Sequence, residues 1–353
     1  MSPHTSPVPA SGRRGSLCRV LVIVAVVAVA VVLQRRHLAE LPWAFTAVRH
    51  ADPVWLAVGV AGSVITYVMA ALAMKGTVHR RLSFRQLFQV QVAAGVTTIA
   101  APGGLGSAGL NVWFLERVGV ERPEALAAAL RSRVAGGAVH IAGLAVVVWQ
   151  LPHLLDVDAG RVVGVLMTVT KVVVVAAVVL AVVAHRRRED VARLWTATVH
   201  AWSTTVSLLG RRDRLRELIG GSIGLTLAYG VTLWACANAV GVPLDLPTAM
   251  AIELTVQALG AVSATPGGVG VVEAAGLQGL LLAGADPAAA LAVVLLHRSV
   301  TFWLPALPGA VALRSLRRML GPALAPSTVN LDDAGSPRWS GDERGEPLAV
   351  LGG

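Results

Sequence analysis

The sequence predicts an all-α integral membrane protein, a polytopic helix bundle with two inverted-topology repeats, each containing a broken (re-entrant) Pro-Gly-Gly helix hairpin. Three observations predict it: the composition, a duplicated motif, and the placement of arginine. Of 353 residues, 55% are hydrophobic and only 14% charged, with a mean hydropathy of +0.68. Soluble domains carry roughly 25% charged residues. Ala101-Pro-Gly-Gly-Leu-Gly106 returns as Thr265-Pro-Gly-Gly-Val-Gly270, an offset of 164 residues (266 minus 102). Flanking residues keep that register: Leu82 maps to Leu246, Gln89 to Glu253 and Pro123 to Pro287.

The formal charge of +10 comes mostly from arginines that lie between apolar runs. There they act as topology determinants and contacts to anionic lipids at the cytoplasmic leaflet, so no nucleic-acid partner is expected. Cys18 and Cys236 are far apart and form no CxxC pair, which points to neither a disulfide framework nor a metal site. No cofactor is expected.

Each element follows in chain order. Residues 1–16 are rich in Pro and Ser and are expected to be a disordered cytoplasmic N-terminus. Arg13, Arg14 and Arg19 before the apolar run Val20–Leu33 resemble a signal peptide, but an uncleaved first helix fits a chain that is membrane-embedded throughout. Residues 17–320 then form one transmembrane domain, with repeat one at about 53–151 and repeat two at about 218–313. Apolar runs are Pro53–Met74, Leu87–Trp113, Ala125–Leu151, Val162–Ala184, Leu218–Val240, Thr248–Ala283 and Ala288–Leu313. A span needs about 20 residues, so the runs containing the motifs are too long for one crossing and are interrupted in the middle. Each reads as two short helices meeting at the Pro-Gly-Gly turn, either re-entrant or crossing as a pair.

Residues 185–217 carry a dense set of arginines and read as a cytoplasmic linker, either solvated or lying on the leaflet as an amphipathic helix. The loop Lys75–Arg85 and the cluster Arg314, Arg317 and Arg318 belong on the same side, whereas 152–160 and 241–247 lack Lys and Arg and belong outside. Threading the chain through these constraints gives helix, broken hairpin, helix twice, in opposite orientations. Both termini are then cytoplasmic, and residues 321–353 form a disordered tail.

A Pro-Gly-Gly break frees backbone groups that hydrocarbon cannot satisfy, so it must pack against protein or line a wet cavity. The helix that starts after each break offers N-terminal amides suited to a phosphate. The same glycines could instead serve only close helix packing. The candidate translocation site is therefore Pro102, Gly103, Gly104 and Gly106 in the first break and Pro266, Gly267, Gly268 and Gly270 in the second. Ionisable residues within the spans complete it: Arg133, Lys171, Glu253, Glu273 and Arg298, with Arg131, His140 and His297 close by in sequence. Arg298 and Glu273 are expected to pair, either as part of the site or as a static salt bridge.

The paired motifs, the acidic Glu273 shortly after the second, and the run Arg298…Trp303-Leu-Pro305…Pro308-Gly309 resemble the lysylphosphatidylglycerol synthase transmembrane-region family, also described as flippase-like. The resemblance covers about Pro53 to Arg318. It implies a stand-alone lipid-translocating domain of the cell membrane whose partner is a membrane phospholipid or lipid-linked substrate. Family members often carry an acidic residue directly after the first motif, whereas this chain has Ser107, Ala108 and Gly109. Only a short tail follows Gly321, so the aminoacyl-transfer activity of bifunctional relatives is not expected. The chain contains no HExxH or P-loop, and an accessory or scaffold role in a lipid or cell-envelope pathway is the alternative to transport.

Overall fold

Three helices start on the same local device, an aspartate N-cap followed within two residues by proline. In the computed structural model, Asp52 caps Pro53–Gly76 by accepting from the Val54 and Trp55 amides, at 2.7 and 3.3 Å. Asp245 caps Leu246–Val262, and Asp286 caps Pro287–Arg298. The carboxylate satisfies orphan amides, and proline supplies a preset φ where no amide proton is needed. The structure describes residues 41–154 and 212–321, except 79, 81, 101–103 and 264. The expectations for residues 1–40, for Val162–Ala184 with Lys171, for the linker up to residue 211, for Pro102 and Gly103, and for the C-terminal tail lie outside the described residues.

The described residues form helices and no strand. In chain order these are α1 (Leu41–Arg49), α2 (Pro53–Gly76), α3 (Phe84–Ala100), α4 (Leu105–Arg117), α5 (Arg122–Leu154), α6 (Arg212–Ala239), α7 (Leu246–Val262), α8 (Val271–Leu282) and α9 (Pro287–Arg298). A π-helical turn, Ser299–Trp303, then leads into α10 (Leu304–Leu320). Among the described residues, four segments are long and apolar enough to cross a membrane: Pro53–Gly76, Arg122–Val147, Arg212–Ala239 and the continuous Pro287–Leu320. Both long motif-bearing runs are broken in two, as the sequence predicted.

Element lengths repeat at the motif's own spacing. The pair α3 and α4, of 17 and 13 residues, corresponds to α7 and α8, of 17 and 12. The corresponding long helices α2 and α6 make the most extensive contact in the fold. They run antiparallel. The Asp52 amide donates to the Ala239 carbonyl at one end (2.8 Å), and Lys75 pairs with Glu217 at the other (2.5 Å). Small residues let them approach: a methyl group on Gly76 would lie 2.6 Å from the Arg214 carbonyl.

The two ends of the bundle differ in charge. At one end Lys75 pairs with Glu217, Arg80 donates to the Gly119 carbonyl, and Arg117 donates to the Leu320 carbonyl. Beneath them packs a core of Met74, Leu87, Phe114, Leu115 and Leu316. The opposite end holds the α1–α2 junction and the loops before α7 and α9, over a core that includes Leu233, Val242, Leu244, Leu280 and Val293. Its helix starts carry the capping aspartates instead of arginines.

Two elements were not read from the sequence. The short helix α1 packs on α9. The last apolar run is interrupted by the π turn, in which the Leu304 amide bonds the Ser299 carbonyl. Pro305 has no amide proton, so the Val300 carbonyl loses its helical donor. The Ser63 hydroxyl of α2 supplies one at 2.9 Å.

Candidate functional site

Each break is a glycine turn whose carbonyl is held by an arginine from the helix that follows the hairpin. In the second break Gly267, Gly268 and Gly270 have φ of +64°, +68° and +88°, the left-handed region that side chains strain to adopt. A Cβ on Gly267 would also run into the Phe302 ring. The turn satisfies much of its own backbone: the Gly268 amide donates to the Thr265 carbonyl, and the Val271 and Val272 amides donate to the Gly268 carbonyl. Ser263 and Thr265 hydroxyls bond each other at 2.7 Å and tie off the end of α7. The Gly267 carbonyl accepts from Arg298 Nη2 at 3.1 Å.

Arg298 is held through two of its nitrogens and against an aromatic ring. Its Nε donates to Glu273 Oε1 at 2.7 Å, and its guanidinium carbon lies 4.0 Å from the centre of the Phe302 ring. The other carboxylate oxygen, Glu273 Oε2, accepts from the Gly270 amide at 2.6 Å, capping α8 from its first turn. The expected pair is therefore present, as the centre of a clamp joining the break, the start of α8 and the end of α9. The side chain of Arg298 is 10% exposed and that of Glu273 28%. In such a setting removal of either partner strands a charge.

The first break repeats the plan more loosely. Gly104 has φ +67° and leads α4, and its carbonyl accepts from Arg133 Nη2 and from Ser107 Oγ, the latter at 2.8 Å. Gly106 is forced by close approach, since a Cβ there would overlap the Thr97 carbonyl of α3. Arg133 stands eleven residues into α5 (133 minus 122), and Arg298 eleven into α9 (298 minus 287). At 1.5 Å per residue, each lies about 16 Å along its helix. One helix starts at the basic end and the other at the opposite end.

The remaining candidates separate. Arg131 is buried and pairs with Glu124 at 2.5 Å, one face of α5 away from the break, so it braces the basic end. Gln91, two residues beyond the Gln89 that the repeat register picked out, supplies the hydrogen bond between α3 and α4, to Asn111 at 3.1 Å. His140 of α5 reaches the Leu254 carbonyl of α7 at 2.8 Å. Glu253 is 2% exposed and bonds Gln257 at 2.7 Å through one oxygen only. Its other oxygen faces His297 Nε2 at 3.7 Å. His297 immediately precedes Arg298, but its neighbour Glu253 lies on another helix, a proximity that no local spacing signals.

A family model described as the lysylphosphatidylglycerol synthase TM region matches residues 17–309. No curated protein matches the chain.

Proposed function

This chain belongs to the lysylphosphatidylglycerol synthase TM-region family, and we propose that it moves an anionic, phosphate-bearing lipid headgroup across the cytoplasmic membrane without altering it chemically. The observation that carries the reading is the pair of arginine-held breaks, Arg133 on Gly104 and Arg298 on Gly267. Half of a hydrocarbon core is about 15 Å, so an arginine about 16 Å along its helix reaches mid-depth. Beside each lies the N-terminus of a helix, α4 or α8, whose amides favour an anion. A headgroup phosphate arriving at α8 competes with Glu273 for Arg298, so the carboxylate acts as the group that releases the lipid.

The antiparallel contact between the equivalent helices α2 and α6 supports two halves of inverted topology. By the positive-inside rule the basic end faces the cytoplasm, with both chain termini and the arginine-rich linker on that side. Re-entrant breaks, each opening from its own side, would then present one arginine to each leaflet in turn.

A second reading, an accessory membrane protein of a lipid or envelope pathway, draws on one observation. Arg298 is bonded to Glu273 and Gly267 and stacked on Phe302, as a purely structural clamp would be. Reconstituted vesicles carrying fluorescent phosphatidylglycerol decide between the two. Wild-type protein is expected to expose inner-leaflet lipid to an external quencher, and folded Arg298→Lys to slow this at least about tenfold, since the bidentate fork is lost. Wild-type vesicles no leakier to lipid than protein-free ones would return the accessory reading.

A further inference from the structure

Two buried polar atoms without partners lie beside the Arg298 clamp. Glu253 Oε2 on α7 and His297 Nε2 on α9 are both buried, both lack a hydrogen-bond partner, and face each other at 3.7 Å. That distance is too long for a hydrogen bond. Buried polar atoms are rarely left unpaired, because each costs about 1–3 kcal/mol. If both atoms are bare acceptors they repel. One proton placed between them turns the two acceptors into a single O–H···N or N–H···O bond after a closure of less than about 1 Å.

The neighbours do not supply that proton permanently. Glu253 Oε1 is taken by Gln257, and Arg298 is committed to Glu273 and Gly267. From α6 the titratable groups near Glu253 are Tyr229 and the thiol of Cys236. Tyr67 of α2 lies close to Tyr229. His140 of α5 is occupied by the Leu254 carbonyl. Among the described residues the nearby cation is therefore Arg298, already bonded to Glu273.

We propose that Glu253 and His297 form a proton-binding site whose occupancy is coupled to that of Arg298 by an anionic headgroup. This rests on the translocation reading for its purpose, although not for its test. Without a proton the cluster holds one fixed cation against two carboxylates. A headgroup phosphate adds a further negative charge, which is costly in a low-dielectric interior. A proton entering with the phosphate and bridging Oε2 to Nε2 leaves the charge of the buried cluster unchanged, and it departs when the headgroup leaves. No bond other than that to the proton forms or breaks.

The experiment is an infrared titration of the purified protein in nanodiscs, following the absorption of the protonated carboxylic acid. One set of discs is zwitterionic phosphatidylcholine, and the other contains phosphatidylglycerol. An acid band present in wild type and absent in Glu253→Gln is expected, persisting in phosphatidylglycerol to a pH higher by about one unit, a tenfold gain in proton affinity. His297→Gln should weaken the band's pH dependence. Because an anionic surface alone attracts protons, the decisive comparison is Arg298→Lys in the same discs, where the part of the shift due to the clamp should shrink. A titration with no Glu253-dependent band overturns the proton site, and an equal shift in wild type and Arg298→Lys overturns the coupling. Neither result depends on lipid movement. Vesicles that show no translocation while the band shifts as expected would sink the transport reading and leave the coupled site standing.

Discussion

The two breaks meet the same backbone problem with different resources. The first holds the Gly104 carbonyl with Ser107 and an exposed Arg133. The second buries its arginine and adds a carboxylate and an aromatic ring. At the position equivalent to Glu273 (273 minus 164) the first repeat has Gly109, around which a Cβ would meet nothing within 4 Å. An acidic residue that caps α8 and restrains Arg298 is thus absent from the first break, and space stands in its place. Duplicated sequence keeps the break and the arginine, because both follow from the geometry of a glycine turn. It is free to vary the group that competes for the arginine, because only function demands one. The first break is the adaptable half of the molecule, and the second the locked half.

The largest test of that contrast removes each arginine in turn. Arg298→Ala leaves Glu273 partly buried without its cation and is expected to cost about 3–5 kcal/mol. Arg133→Ala loses an exposed bond to a carbonyl that keeps its serine and should cost about 1 kcal/mol. Thermal unfolding in detergent measures both, and equal losses would erase the distinction. Joint replacement, Arg298→Met with Glu273→Leu, is expected to recover most of the loss if the clamp is only structural.

The glycines sharpen the same comparison at smaller magnitude. Gly267→Ala combines strain at positive φ with a collision against Phe302 and should destabilise by about 2–4 kcal/mol, partly relieved by Phe302→Leu. Gly104→Ala meets only the movable end of Arg133 and should cost about 1–2 kcal/mol. If Phe302→Leu gives no relief, the ring does not set the geometry of the second break. Ser63→Ala, which strips the donor from the Val300 carbonyl beside the π turn, is expected to lower stability by about 1–2 kcal/mol.

The last test concerns orientation more than stability. A cysteine at the exposed Arg216 should change stability by no more than about 0.5 kcal/mol, and one at the exposed Asp245, which gives up the N-cap of α7, should cost about 1 kcal/mol. In intact cells a membrane-impermeant thiol reagent should reach position 245 and not 216. Labelling of both from outside would contradict a membrane crossing by α6 between the basic end and the aspartate end.

Much of this was legible in the residues. Composition gave the membrane class, and proline with glycine placed both breaks. The pairing of Arg298 with Glu273 followed from two charges that hydrocarbon will not leave alone. Even the Pro308-Gly309 step has its reason in the fold, since a Cβ on Gly309 would lie 2.7 Å from the Val92 carbonyl of α3. The misses share a cause. The opposition of Glu253 and His297 joins residues on different helices, and the serine that supports the π turn lies 237 residues from its acceptor. Sequence spacing carries no record of such neighbours.

What the sequence determined by itself is local and chemical: where helices must stop, which carbonyls are freed, and which charges need partners. Steric limits on proline and glycine and the cost of burying charge operate within a few residues or regardless of partner. Which arginine is locked and which left exposed was decided only by tertiary structure. So was the placing of two unpartnered atoms opposite each other beside the clamp. Those outcomes depend on how α7, α8 and α9 pack, and packing is set by the whole bundle at once.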